Sequence, residues 1–166
     1  PDGGQSPAAS PVATAGASPA ASTATGGDGI TGAWAVDTGV GSFSDFSGSF
    51  VGYRVREELA TIGATWAVGR TPDVTGSLTI AGTSVTAAEI TADLTTLQSD
   101  EGNRDRQLSR QALETGRFPT ATFVLTAPVD LGSVPAERET VDVTLPGDLT
   151  IHGVTRAVEV PAQARL

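Results

Sequence analysis

Cysteine is absent from this 166-residue chain, which excludes disulfides, thiolate metal sites, a Cys/His dyad and a lipid-modified cysteine together. Methionine is absent too, so the chain carries no initiator residue. A processed product is expected, with a signal peptide or membrane anchor upstream. No run approaches the ~18 apolar residues that a transmembrane helix needs. Lysine is missing as well: all ten basic residues are arginine, a skew that fits a GC-rich genome better than a selected function. Histidine occurs once, at His152, and aromatics make up only 5% of the residues. The basic residues are outnumbered by 19 acidic ones, and a net charge of −9 argues against nucleic acid and against docking on anionic lipid by a basic patch. Partners are expected to be neutral or hydrophobic.

What is present falls into two parts. Residues 1–29 are almost entirely Pro, Ala, Ser, Thr and Gly, with Asp2 and Asp28 as the only charges. Such a composition cannot bury enough apolar surface to offset chain entropy, so a disordered tether is expected, stiffened at Pro7, Pro11 and Pro19. Residues 30–166 have the length of one ordinary domain.

In that domain apolar and polar residues alternate with period two, the mark of strands with one buried face. Val74, Gly76, Leu78 and Ile80 alternate with Thr75, Ser77 and Thr79; Ile90, Ala92 and Leu94 with Glu89, Thr91 and Asp93. The pattern returns in Ala121, Phe123 and Leu125, and in Val141, Val143 and Leu145. Segments 33–37, 49–55, 65–68, 149–152 and 155–160 bring the count to about eight or nine strands, enough for a small barrel or a sandwich. One short helix is expected after residue 102, capped by Asn103 or Asp105, with Leu108, Ala112 and Leu113 as its apolar stripe and Gly116 as its stop. Threonines opposite the apolar positions suit a water-facing outer surface.

Catalytic constellations are scarce. A Ser-His-Asp triad would have to be built around His152 in a hairpin turn, where a solvated histidine is the better reading. No Asp/Glu cluster has calcium-loop spacing, and Gly39, Gly41 and Gly48 form no phosphate loop. The pairs Glu57-Glu58 and Asp100-Glu101 read as solvated or helix-start charge. Arg156 is the sharper case, since alternation puts it on the side of Val154, Val158 and Val160 unless a bulge near Gly153 re-aims it. Buried there it would need a carboxylate, and Asp105 is a candidate partner. Otherwise Arg156 or Arg104 meets a polar ligand head.

Three segments share one wording with a known family. Residues 147–161, GDLTIHGVTRAVEVP, closely resemble the C-terminal hairpin of the YceI-like family, G-x-L-T-I-x-G-V-T-R-P-V; RDRQL at 104–108 resembles its R-D-x-H-L segment, and RFPTATF at 117–123 its y-P-x-x-x-F segment. The resemblance implies an all-β, lipocalin-like antiparallel β-barrel of about eight strands with one short α-helix. It also implies an apolar lumen for a long isoprenoid or related lipid, in an extracytoplasmic protein of the bacterial envelope, secreted or tethered to the outer face of the cytoplasmic membrane. It departs from the family at Gln107, which stands where the motif has histidine, at Ala157, which replaces proline, and in the lack of histidines near the first strands. Head-group contacts made by those histidines do not carry over.

Alternation then nominates the lumen. The candidates are Trp34 from the first strand, Tyr53, Val55 and Trp66 from the next two, and Leu78, Ile80 and Leu94 from the following pair. Phe118, Phe123, Leu125, Leu149 and Ile151 come from the C-terminal half. Val51, Val74, Ile90, Val141, Val143, Val158 and Val160 share the pattern. Arg104, Asp105 and Arg156 are the polar candidates, for a head group or for structure. The expected function is sequestration or carriage of an isoprenoid, of quinone or polyprenyl type, by a protein that is not an enzyme. It needs no metal or cofactor beyond such a lipid, reaches the membrane only through an upstream segment, and is compatible with a homodimer. The alternative is a structural or stress-related envelope protein whose barrel is filled by its own side chains. A hydrolase of lipid-like esters would require a nucleophile near His152.

Overall fold

A computed structural model describes residues 29–59 and 63–165. The proposed tether, apart from Gly29, lies outside the described residues. The domain is all-β and antiparallel with one short helix. In order, β1 is Gly32–Ala35, β2 Val51–Leu59, β3 Gly63–Thr71, β4 Val74–Ala81, β5 Ser84–Asp93 and β6 Gln98–Ser99. Then come α1 Gly102–Gln107 with a π-helical turn Leu108–Ala112, β7 Thr120–Leu125, β8 Val129–Asp130, β9 Thr140–Ile151 and β10 Val154–Arg165. The two-residue strands β6 and β8, too short to show alternation, were not legible in the sequence.

Pairing corrects the expected closed barrel. One sheet runs β1-β4-β5-β7-β9-β10 with β8 also on β5, and β2-β3-β6 forms a second sheet. Among the described residues the ladder does not return on itself, so β1 and β10 keep open edges. Thr71 ties the two sheets: it is fully buried, shares a 2.7 Å hydroxyl hydrogen bond with Thr96 beyond β5, and accepts from the Asp73 amide.

Two helix expectations are also corrected. Glu101, in extended conformation, caps α1 by accepting from the Asn103 amide at 3.0 Å. Asp105 is unavailable as a cap because its carboxylate accepts from the Ser99 amide and, at 2.6 Å, from the Ser99 hydroxyl. At the other end Glu114, not Gly116, takes the left-handed conformation, with φ 46°. The hairpin between β9 and β10 turns at His152 and Gly153, both at positive φ, as a two-residue turn matched to strand twist requires.

Candidate functional site: an apolar sheet face

Directly opposed residues in a ladder point to the same side, so register reads out each face. In the larger sheet Gly76 opposes Ile90, Ile90 opposes Phe123, Phe123 opposes Leu149, and Leu149 opposes Arg156. Neighbouring rows add Trp34 with Leu78, Leu125 with Gly147, and Val143 with Ala162. One side of the six-strand sheet is therefore continuously apolar from β1 to β10. Arg156 is the only charged residue on it. The other side carries the threonines together with Glu89, Asp93, Asp142 and Asp148.

Close packing on this face depends on missing side chains. A β-carbon on Gly147 would overlap the Phe123 ring, and one on Gly76 would lie 2.6 Å from the end of Ile90. At one end of the face Ile30, Val85 and Leu131 are buried and pack against Leu78, Ile80, Leu125 and Val143. Val74 and Ala92, on the same side, are buried as well, whereas Ile90, Phe123 and Leu149 are half-buried and Trp34 is 45% exposed, its indole N–H donating to the Ile30 carbonyl. Ile151 and Val154 oppose each other, both exposed, at the hairpin end.

The remaining lumen candidates separate. Leu94 is buried, its amide donating to the Pro119 carbonyl at 2.7 Å, and so packs in the core. In the second sheet Tyr53 opposes Gly69 and Val55 opposes Ala67, which puts them on one side. Trp66 opposes Arg56 and lies on the other, 55% exposed, with the Arg54 guanidinium 4.3 Å from its ring centre. The Tyr53 ring covers Gly69, and its buried hydroxyl has no partner among the described residues. Phe118 sits at the hairpin tip, its ring under Gly153 and 4.6 Å from the His152 ring.

The polar candidates also find other partners than expected. Arg156 is exposed, and no bulge re-aims it, since β9 and β10 pair in unbroken register from Ile151 to Thr140. The buried Arg156–Asp105 pair is thus replaced by two separate arrangements. Asp105 is held by Ser99, while Arg104 donates to Asp100 at 2.7 Å and to the Ser99 hydroxyl. The hydrogen bond from Arg104 holds the Asp100 carboxyl below its ordinary value. His152 is not simply solvated, because its Nε2 lies 2.7 Å from Glu114 Oε2. The side chains of Glu57 and Glu58 lie outside the described set. Among the described residues no three His, Asp or Glu side chains gather as metal ligands, and no helix is long and apolar enough to cross a membrane.

Sequence reasoning missed the aromatic loop before β2. Phe43, Phe46 and Phe50 surround Arg70, with ring centres 5.1, 3.5 and 5.2 Å from its guanidinium carbon. The spacing of those phenylalanines in a Gly/Ser-rich stretch was the available signal.

A protein named YceI from Escherichia coli O157:H7 is 30% identical over 118 residues, covering 69% of this chain and 56% of that protein. The UPF0312 protein PSPA7_0523 of Pseudomonas paraeruginosa matches equally, and a UPF0312 protein of Shewanella sp. is 30% identical over 110 residues, covering 64% of this chain and 54% of its own. The chain thus spans little more than half the length of these relatives. A solved polyisoprenoid binding domain from Saccharophagus degradans, implicated in plant cell wall breakdown, superposes with a TM-score of 0.54 at 20% identity, over 70% of this chain and 63% of that one, a likeness of fold. The model of the YceI-like domain matches residues 30–166, from the buried Ile30 through the β9–β10 hairpin, and on that match the chain belongs to the YceI-like family.

Proposed function

We propose that this protein binds a long isoprenoid chain, of quinone or polyprenyl type, along the apolar face of the larger sheet and shields it from water outside the cytoplasmic membrane. The observation that carries this reading is the face itself: six strands wide, apolar throughout except for Arg156, and with Trp34, Ile90, Phe123, Leu149, Ile151 and Val154 left partly or fully exposed. A soluble domain rarely leaves so wide an apolar surface without an occupant. Family membership and the isoprenoid-binding description of the Saccharophagus domain support the ligand class. The β2–β3 hairpin has an apolar side of its own, with Val51, Tyr53 and Val55, which in this reading forms a second wall for the lipid. The unpartnered Tyr53 hydroxyl and the exposed Arg156 are the polar groups offered to a head group. The role proposed is binding, on the strength of that face. The low-complexity composition of residues 1–29 suits an envelope protein held near, but not in, a membrane.

A second reading is favoured by one observation: the cluster of Ile30, Val85 and Leu131 already fills one end of the face. A structural envelope protein would be filled throughout. Titration with isoprenoid quinones of increasing tail length separates the two. Each buried methylene is worth at most about 0.8 kcal/mol, so affinity should climb with tail length and plateau when the face is covered. The gain per unit should fall short of additive, because the tail loses rotamer freedom. Affinity that ignores tail length, or no binding after delipidation, would favour the filled interior.

A further inference from the structure

The opposite side of the β2–β3 hairpin carries a feature that the isoprenoid reading does not use. Register places Gly52 against Arg70, Arg54 against Val68, and Arg56 against Trp66, so this stretch interleaves three arginines with apolar residues, and the next pair of the same row is Glu58 with Ala64. Trp66 is 55% and Val68 43% exposed. The aromatic loop extends the patch: Phe46 and Phe50 meet edge to face, both are exposed, and Phe46 lies on the Arg70 guanidinium. The loop tip is pinned by the Ser47 and Gly48 amides donating to the Ser42 carbonyl at 3.1 Å. Phe46 is held at φ 66°, a left-handed conformation that a bulky side chain rarely adopts, and is 59% exposed there. An exposed aromatic kept in an unfavourable backbone conformation gains nothing in core packing, and observed strain of this kind points to use.

Arg54 rests on Trp66 and Arg70 among three phenylalanines, with Arg70 Nη1 buried and lacking an acceptor. Among the described residues none of the three pairs with a carboxylate. Asp45 is the one acidic residue between Phe43 and Phe50, and it is turned to the amide and hydroxyl of Ser47.

We infer that this face docks on an anionic phospholipid surface. Exposed Trp and Phe rings insert at the headgroup boundary, while arginines lay their stems along the apolar layer and keep their guanidiniums among the phosphates. The chain-wide charge of −9 does not forbid this, because charges more than a Debye length away, about 8 Å at physiological salt, are screened. A second copy is the poorer occupant, since a two-fold contact through this face would bring its arginines against their like. Docking here stands independently of the isoprenoid cargo.

The test is flotation of the full chain with vesicles of phosphatidylglycerol and phosphatidylcholine, and with phosphatidylcholine alone, neither containing isoprenoid. In a Trp34→Phe background, Trp66 emission reports insertion. The protein should float with the anionic vesicles, release at high salt, and show a blue-shifted Trp66. Arg54→Gln with Arg56→Gln should weaken binding roughly thirtyfold, from the usual contribution of two basic residues near an anionic surface. Phe46→Ser, a change at an exposed loop tip, should weaken it severalfold with the far-ultraviolet spectrum intact. Absence of flotation, equal binding to neutral vesicles, or undiminished binding by these variants would overturn the proposal. So would a concentration-dependent dimer abolished by Trp66→Ser, which would assign the face to a second copy.

Discussion

The Arg156 guanidinium is the one charge on a face otherwise built from Val, Leu, Ile, Phe, Trp, Ala and Gly. Its row, from Gly76 through Ile90, Phe123 and Leu149, ends on the edge strand, where solvent keeps it hydrated. A buried arginine stripped of its partner would cost about 3 to 5 kcal/mol, whereas an exposed one away from such features costs within about 0.5 kcal/mol. Arg156→Ala is therefore expected to leave the urea midpoint unchanged without ligand and to weaken binding of a lipid with a polar head. A large loss of stability would mean that a partner closes over it. Alternation alone placed Arg156 on the apolar side; its exposure was not legible, because it depends on β10 being an edge strand.

At the scale of elements, the β7–β9 contact is set by a glycine. Phe123 opposes Leu149 but leans across onto Gly147, whose own partner is Leu125. A β-carbon at 147 would overlap the Phe123 ring and come 2.7 Å from the Val124 carbonyl oxygen, so backbone as well as ring must yield. Gly147→Ala should cost about 1 to 3 kcal/mol, the usual range for overpacking. Pairing it with Phe123→Ala should recover part of that cost, and a double-mutant cycle by chemical denaturation measures the coupling. Strictly additive losses would show that the ring does not occupy the space over Gly147. The strands here were readable from alternation, while the helix ends were not. Glu101 and Glu114 took the capping positions expected of Asn103 or Asp105 and of Gly116, because Ser99 engages Asp105 and His152 engages Glu114. Both competing contacts are tertiary.

For the whole molecule, the described apolar side chains that are buried are few: Ile30, Ala67, Val74, Val85, Ala92, Leu94 and Leu131. Much of the apolar face lies between buried and exposed, so an occupant that covers it should add substantially to stability. A ligand present at a hundred times its Kd contributes about 2.7 kcal/mol. For a domain of this size that corresponds to a rise in Tm of roughly 5 to 10 °C. Calorimetry of the delipidated protein with and without a long-chain isoprenoid quinone should show it. A Tm that does not move under saturation would favour a filled interior.

By itself the sequence determined which side chains share a strand face, because a two-residue period is local and survives any arrangement of strands. It also determined family membership, through the wording of the β9–β10 hairpin, and removed thiol chemistry through the absence of cysteine. Only the tertiary structure decided how those faces meet. Trp66 and Tyr53 each sit at an apolar position of its own strand, yet the register between β2 and β3 sends them to opposite sides. A shift of one residue would have joined them, and nothing local distinguishes the two. Likewise the net charge is a sum over the chain and carries no position, whereas docking depends on charges within about a Debye length, ~8 Å at physiological salt. Folding gathers Arg54, Arg56 and Arg70 onto one aromatic face of an acidic protein because hairpin pairing, not sequence neighbourhood, brings β2 and β3 side by side.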